Sequence, residues 1–372
     1  MRATLIAWRT RRIFPSEGIP EERERKRRHE TIVKIGRCTR VAIPVGAALV
    51  ACAVFAASPG PDEPRFLAPT GKPLNAATAD VSGGVAVLIG AGDIGDCGSE
   101  GAEKTARLVE RQLAGETAPT WVFTLGDNAY PYGSESNFAD CYEPHWGRFK
   151  AITRPVPGNH DYKNGYWFLG RTTSLGHAEP FFRYFDAFPG QAGDPGDGWY
   201  RYRHGRWDVF ALNTRKRHGV DRDSAQWRWL AAELAASQAE CSLAYLHHPR
   251  FSTGKHGDDE RMRGTWQLLA QYGIDVLLAG HEHNYQRFGP QDDAGHPDAA
   301  GMRQFVVGSG GTHLTTGSTR TAGALERWNR ADFGVLELTL RPDGYDWAFV
   351  TADGSVWDSG SSACQNRARP DR

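Results

Sequence analysis

Short apolar runs that stop at a polar, chemically reactive motif recur along this chain, and they constrain its fold more than any other feature. These runs lie at 85–90, 120–125, 241–246 and 274–278, and 154–156 suggests a further short strand. Segments with helical spacing of apolar residues stand among them, at 102–114, 222–237 and 259–272. Buried strands that alternate with amphipathic helices predict an α/β fold with a parallel or mixed sheet.

Further strands are predicted near the end of the chain, at 303–307, 334–340, 345–350 and 355–358, with turn signals such as Pro342-Asp343-Gly344 between them. No internal repeat is visible. We therefore predict one domain of two packed sheets from 85 to about 364. A linker rich in Pro, Gly, Ala and Thr precedes it at 58–84, and a polar tail follows at 365–372.

A polar motif follows each of the first five strands. The motifs are Gly92-Asp93-Ile94-Gly95, Gly126-Asp127-Asn128-Ala129-Tyr130, Gly158-Asn159-His160-Asp161, His247-His248-Pro249 and Gly280-His281-Glu282-His283. Each alone is an ordinary turn. Because ligands in α/β sheets bind at the carboxyl ends of strands, five such motifs together predict a metal site. Carboxylates and imidazoles without a thiolate suit Zn, Mn or Fe.

In this order the motifs resemble those of the calcineurin-like metallophosphoesterases, in particular the compact form of the purple acid phosphatase branch. The resemblance covers roughly residues 85–290. It implies a four-layer α/β/β/α sandwich of two mixed sheets flanked by helices, with the C-terminal strands in the second sheet. It also implies an acid-phosphatase-like hydrolase of phosphate esters.

The same resemblance implies a centre of two metal ions and assigns a role to each motif residue. Asp93, Tyr130 and His283 would hold the first ion; Asn159, His247 and His281 would hold the second; Asp127 would bridge both. His160 would act as an acid beside the substrate, and His256 matches a further histidine of the substrate pocket. Attack by metal-bound hydroxide would cleave the ester.

Tyr130 distinguishes this chain within the wider superfamily, because the first motif carries Gly95 where most members carry a histidine ligand. A phenolate is anionic and hard, so it favours Fe(III), with divalent Fe, Zn or Mn as the partner. That pair would keep a net positive charge after the anionic ligands are counted. We expect phosphate monoesterase activity. The alternatives are a phosphodiesterase or nucleotidase at the same centre and a non-catalytic surface protein that binds metal and phosphate.

Residues 1–57 differ in composition from the rest of the chain. The first 31 are strongly basic and are predicted to be disordered. The apolar run at 41–57 has the size of a signal peptide and is shorter than the ~20 residues that a bilayer core requires. Secretion or attachment to the cell surface is therefore predicted. The formal net charge of zero gives no support to nucleic-acid binding.

The signal region leaves two possibilities open. Leu49-Val50-Ala51-Cys52 resembles a bacterial lipobox, which would make Cys52 a lipid anchor and the only membrane contact. A plain secretory signal cut near Ala56 would instead release the protein.

Four cysteines remain outside the signal region, an even number that favours disulfides in an exported domain. The sequence permits three pairings. We predict Cys97 with Cys141 and Cys241 with Cys364.

Other polar residues near the motifs have two interpretations. Asp161 either orients the ring of His160 or caps a turn, and Arg287 either positions substrate or packs. The loop at 308–311 is predicted to be a strand-end turn rather than a phosphate cradle. The remaining histidines, which are His145, His177, His204, His218, His296 and His313, are expected to be exposed or capping groups.

Overall fold

The computed structural model describes residues 84–365 apart from 164–166, 169–170, 173–176, 187–189, 216–219 and 317–323. The predicted signal region with Cys52, nearly all of the linker, His218 and most of the polar tail lie outside the described residues. No helix among the residues described is long and apolar enough to cross a membrane.

The strands alternate with helices through most of the described chain. In chain order the strands are β1 Ala86–Ala91, β2 Thr120–Leu125, β3 Thr153–Val156, β4 Trp167–Phe168, β5 Arg171–Thr172, β6 Tyr200–His204, β7 Trp207–Ala211, β8 Cys241–Leu246, β9 Val276–Ala279, β10 Tyr285–Phe288, β11 Arg303–Val307, β12 Leu325–Asn329, β13 Gly334–Arg341, β14 Gly344–Thr351 and β15 Val356–Ala363. The α-helices are α1 Gly101–Gly115, α2 Glu135–Asn137, α3 Glu179–Phe185, α4 Ala225–Ala236 and α5 Arg263–Gln271. Short helices of other types lie at Phe138–Tyr142, Trp146–Ile152 and Glu260–Met262.

Two mixed sheets form the centre of the fold. The first has the order β15-β14-β13-β1-β2-β3, and the second has the order β12-β10-β11-β9-β8-β7-β6. Strands β1, β2 and β3 run parallel to one another, as do β7, β8, β9 and β11. The short pair β4 and β5 is antiparallel and separate. The carboxyl ends of the parallel strands therefore share one edge of each sheet.

The side chains of β8 show how the layers pack. Leu243 and Tyr245 belong to a buried cluster that includes residues of both sheets, among them Phe123 of β2. Ala244 and Leu246 belong to a second cluster, which contains apolar residues of α4 and α5. Because successive side chains of a strand point to opposite faces, the sequence of β8 buries one face against the first sheet and the other against helices. The predicted two-sheet sandwich flanked by helices is confirmed.

Helix α4 illustrates how the sequence fixes an element. Ser224 caps it, since its hydroxyl accepts a hydrogen bond from the backbone N–H of Trp227. Leu230 and Leu234 lie one turn apart and are both buried. The predicted helix at 222–237 is thus present, but its first turn begins later because Ser224 stands at the cap.

The C-terminal strands differ from the prediction. Strand β11 joins the second sheet, but β13, β14 and β15 extend the first, with β13 antiparallel to β1. Assignment of all the C-terminal strands to the second sheet was wrong. The strands that pair with one another are determined by long-range packing of apolar faces. The residues of one strand alone therefore do not predict which sheet it joins.

Both predicted disulfides are present and confirmed. Cys97 pairs with Cys141 across 44 residues, and Cys241 pairs with Cys364 across 123 residues. The second bond joins the first residue of β8 to the residue after β15, so it ties the second sheet to the first.

Candidate metal centre

Five loops meet at the shared carboxyl ends of the strands, three from the first sheet and two from the second. Asp93, Asp127 and His281, one residue from each of three loops, have left-handed backbone angles, with φ of 61°, 50° and 71°. This conformation costs a non-glycine residue energy and persists only where the surroundings enforce it. Each of the three follows a glycine in the sequence. Strained backbone thus coincides with the predicted ligands.

Gly158 shows why glycine is needed between these loops. A Cβ atom at this position would lie 2.3 Å from Oδ1 of Asp127 and 2.2 Å from its backbone nitrogen. The loop that carries Asn159 therefore packs against the Asp127 loop through glycine, which brings the second and third motifs into contact.

One group of side chains surrounds the Tyr130 hydroxyl. This oxygen lies 2.9 Å from Oδ1 of Asp93, 3.0 Å from Oδ2 of Asp127 and 3.2 Å from Nε2 of His283. Nε2 of His283 is also 3.5 Å from Oδ1 of Asp93. The Nδ1 atom of His283 is 2.9 Å from the carbonyl oxygen of His313, which leaves Nε2 as the nitrogen that faces the group. The three predicted ligands of the first ion thus converge, together with Asp127.

A second group lies on the other side of Asp127. Nε2 of His247 is 3.0 Å from Oδ1 of Asn159 and 3.4 Å from Oδ2 of Asp127. Nδ1 of His247 is 2.7 Å from the carbonyl oxygen of Leu125, which fixes the ring. The ring centroid of His281 is 5.0 Å from that of His247. The predicted ligands of the second ion therefore also converge.

The electrostatics of the two groups are consistent with a cation site. Burial raises the pKa of Asp93 well above its usual value. Burial also raises the pKa of Tyr130 well above its usual value, and the charges of Asp127 and Asp93 raise it further. A buried tyrosinate is therefore favoured only when a cation offsets its charge. Although burial opposes it, the charge of Asp127 raises the pKa of His247 to about 9.

This donor set fits a pair of metal ions. Asp127 presents Oδ2 to both groups, and its Oδ1 accepts the backbone N–H of His160. Asp93, Asp127 and His247 are buried and can offer ligand atoms within 4.8 Å of one another. Two buried carboxylates this close together, Asp93 and Asp127, are an arrangement that a bound cation would balance together with the neighbouring histidines.

His160 lies next to this centre. Its backbone N–H donates to Oδ1 of Asp127 at 2.6 Å, and its Nε2 is 3.9 Å from Oδ2 of the same residue. Its ring centroid is 4.4 Å from that of Tyr130. Nδ1 lies 2.7 Å from the carbonyl oxygen of Pro131. Burial lowers the pKa of His160, so its ring is neutral over more of the pH range than a free histidine.

His256 lies at the opposite side, where its ring stacks on His281 with centroids 4.3 Å apart. Its Nδ1 is 3.0 Å from Oε1 of Glu282, a fully buried carboxylate that also accepts the backbone N–H of Lys255. Glu282 is the middle residue of the fifth motif, and the sequence analysis gave it no role. It ties the His256 loop to the two histidines that flank it.

The structure distinguishes between the alternative roles that the sequence left open for Asp161, Arg287 and the 308–311 loop. Asp161 accepts backbone N–H groups of Gly158 and Asn128 and does not contact the His160 ring, so it caps the turn. Arg287 pairs with Asp358 and Glu326, so it packs. The 308–311 loop is a strand-end turn that packs on the first motif, where Gly310 donates to the carbonyl of Gly92.

The prediction for His204 was wrong. It is 3% exposed, and its Nε2 lies 2.8 Å from the carbonyl oxygen of Val87, because β6 packs its last residue against β1. His313 contributes through its backbone carbonyl, which no side-chain pattern could reveal.

A family model described as calcineurin-like phosphoesterase matches residues 87–285, just over half of the chain. The chain belongs to the calcineurin-like phosphoesterase family. The match covers all five motifs of the centre and ends at the first residue of β10.

Relatives within the family are purple acid phosphatases. Purple acid phosphatase 21 of Arabidopsis thaliana is 23% identical over 288 residues, which cover 66% of this chain and 61% of that protein. Fe(3+)-Zn(2+) purple acid phosphatase 12 of the same plant is 24% identical over 263 residues, which cover 59% of this chain and 54% of that protein. The chain thus spans little more than half the length of these relatives.

A solved purple acid phosphatase from yellow lupin (Lupinus luteus) seeds shares the fold. It superposes with a TM-score of 0.62 at 19% identity and covers 75% of this chain and 54% of its own.

Proposed function

We propose that this chain is an exported hydrolase of phosphate monoesters and that the metal centre is its active site. One observation carries the proposal: Oδ2 of Asp127 lies within 3.4 Å of one ligand atom of each predicted metal site, Tyr130 Oη and His247 Nε2, with His160 beside that carboxylate. The names of the purple acid phosphatase relatives agree with this chemistry, and one is named as an Fe(3+)-Zn(2+) enzyme.

Two metal ions bound here would activate water as the nucleophile and polarise the phosphoryl oxygens. Asp93, Tyr130 and His283 would hold one ion, and Asn159, His247 and His281 the other. Asp127 would bridge them, because its Oδ2 atom faces both groups. We propose Fe(III) at the tyrosine site and divalent Fe, Zn or Mn at the other.

His160 and His256 would act on the substrate. His160 packs against Tyr130, and His256 stacks on His281, so the two histidines flank the two proposed ion sites. Nδ1 of His160 faces the Pro131 carbonyl and keeps the proton of the neutral ring, so Nε2 would have to be protonated as well before it could give a proton to the leaving group. His256 is exposed and lies at the rim, where it can contact a phosphoryl oxygen.

Export is supported by the disulfides as well as by the signal-like sequence at 41–57. Disulfides persist in oxidising compartments and are rare in the cytosol of most organisms. A lipid anchor at Cys52 and free secretion both remain compatible with this proposal.

The test uses purified protein loaded with iron and zinc. Metal analysis should find two ions per chain, and p-nitrophenyl phosphate should be hydrolysed faster than bis(p-nitrophenyl) phosphate or a nucleotide. Faster hydrolysis of the diester would indicate that the centre is that of a phosphodiesterase. Two bound ions without turnover of any ester would instead support a protein that binds metal and phosphate without catalysis.

A further inference from the structure

Lys163 contacts the residue that is proposed to act as the acid. Its Nζ atom is 2.7 Å from Nε2 of His160. Because Nδ1 of His160 faces the Pro131 carbonyl, Nδ1 carries the proton of the neutral ring, and Nε2 accepts a hydrogen bond from the lysine ammonium. The same Nε2 atom is 3.9 Å from Oδ2 of Asp127. The ammonium therefore lies one hydrogen bond beyond an imidazole that touches the metal centre.

The charge of Lys163 has no acidic partner within ion-pair distance in the described part of the chain. The side chain is about half buried, and burial lowers the pKa of its ammonium. The negative charge of Asp127 raises that pKa, and the positive charge of Arg215, in the loop after β7, lowers it. The guanidinium of Arg215 lies 4.7 Å above the ring of Tyr162, the residue before Lys163. The ammonium of Lys163 therefore lies beside His160 at the edge of the centre, where a bound anion would stabilise its charge.

We propose that Lys163, whose ammonium lies 2.7 Å from Nε2 of His160 beside the centre, binds the phosphoryl group of the substrate. This inference rests on the proposed function, since it assigns a further substrate contact to the same site. A phosphate monoester carries up to two negative charges. An ammonium beside the centre would bind it through a charged hydrogen bond, which contributes more than a neutral one.

The competing explanation is that Lys163 only holds the His160 ring in place. Glutamine and arginine separate the two roles. Gln can donate a neutral hydrogen bond toward His160, whereas Arg keeps the positive charge. If charge is what matters, Lys163→Arg retains function and Lys163→Gln loses it. If orientation is what matters, Gln suffices.

The experiment measures binding of inorganic phosphate to the metal-loaded full chain by calorimetry. We expect Lys163→Met and Lys163→Gln to weaken binding at least about tenfold, the effect of losing one charged hydrogen bond. Lys163→Arg should stay within about threefold of the unchanged protein. In a phosphatase assay, Met and Gln should raise KM more than they lower kcat.

Lys104→Met is the matched control, since Lys104 lies on α1 and pairs with exposed Glu100. Metal content and melting temperature should be unchanged in all variants, which excludes misfolding as the cause. Equal phosphate affinity for Lys163→Met and the unchanged protein, or full affinity for Lys163→Gln, would overturn the inference. An unchanged protein that binds phosphate but hydrolyses no ester would overturn the proposed function alone.

Discussion

At the proposed metal centre the first sheet would contribute only oxygen donors, and the second sheet would contribute only imidazoles. Asp93, Asp127, Tyr130 and Asn159 follow β1, β2 and β3, whereas His247, His281 and His283 follow β8 and β9. Each proposed ion takes ligands from both sets. Neither sheet alone can therefore form a complete site, and metal binding would favour the packed arrangement of both.

The opposite end of β8 has a different tie between the same sheets. This strand begins at Cys241, which is disulfide-bonded to Cys364 after β15, and it ends just before His247. One end thus carries a covalent bond, and at the other lie the side chains that are proposed to bind a cation. The disulfide end is expected to stabilise the fold, and the ligand end is proposed to perform the chemistry.

The largest effect is expected at the carboxylate that faces both ion sites. Asp127→Asn should remove both metals or lower turnover by at least about a thousandfold, because the amide lacks the charge that a bridge needs. Metal analysis and a phosphatase assay on the same preparation would measure this.

Asp140→Asn provides the matched control, since Asp140 is exposed and lies outside the centre. It should keep full metal content and activity. Near-normal activity of Asp127→Asn with two ions bound would show that Asp127 does not bridge.

A smaller effect is expected when only one ion loses a ligand. Tyr130→Phe should leave the second ion in place, since Asn159, His247 and His281 lie on other loops. If Tyr130 binds Fe(III), charge transfer from the phenolate colours the protein violet or pink, and the Phe variant should be colourless. Activity should fall by roughly ten- to a hundredfold, since His160 and the bridge remain.

The visible spectrum and the metal content distinguish a Tyr130 that binds Fe(III) from one that only packs below the centre. A colourless, fully active protein with two Mn or Zn ions would mean that Tyr130 only packs below the centre. Tyr132→Phe is a suitable control, because Tyr132 is exposed and near in sequence. It should leave the colour unchanged.

The sequence predicted the fold class and the convergence of the motifs because both depend on local patterns. Strand β8 is a buried run of six residues that ends directly before its ligand, and its bounds were predicted without error. Strand β12 (LERWN) was missed, because its two charged side chains at successive positions are exposed and break the alternation. Strand β10 (YQRF) was missed because it is only four residues long, has two polar residues at its centre and lies just after the fifth motif.

The supporting contacts of the centre were less predictable than its ligands. Glu282 contacts Lys255, which is 27 residues away in the chain, and Lys163 contacts His160, which is three residues away. Both contacts lie in loops, whose shapes no periodic pattern of residues predicts. The contact of His283 with position 313 uses the backbone carbonyl, which every residue type has, so the sequence does not reveal it. Ligand motifs are read from residue types, and the contacts that orient them depend on tertiary packing.

The smallest effect on catalysis is expected at the disulfide end of β8. Thiol titration of the denatured, unreduced protein should first find few or no free thiols among the four cysteines. Replacing Cys241 and Cys364 by Ser should then lower the free energy of unfolding by about 2–4 kcal/mol, because the bond closes a loop of 123 residues. Metal content and kcat should not change, since the bond lies at the end of β8 away from His247.

The pair Cys97 and Cys141 offers the contrast within the same molecule. Its loop is shorter, at 44 residues, so loss of this bond should destabilise the fold by about 1 kcal/mol less. Cys97 follows the Asp93 motif and Cys141 follows the Tyr130 motif, and a backbone bridge joins Gly95 to Ala129 between them. Ser at both positions should therefore weaken metal affinity although it costs less stability. If the two double variants affected metal affinity equally, the disulfide end of β8 would not be separable from the metal centre in function.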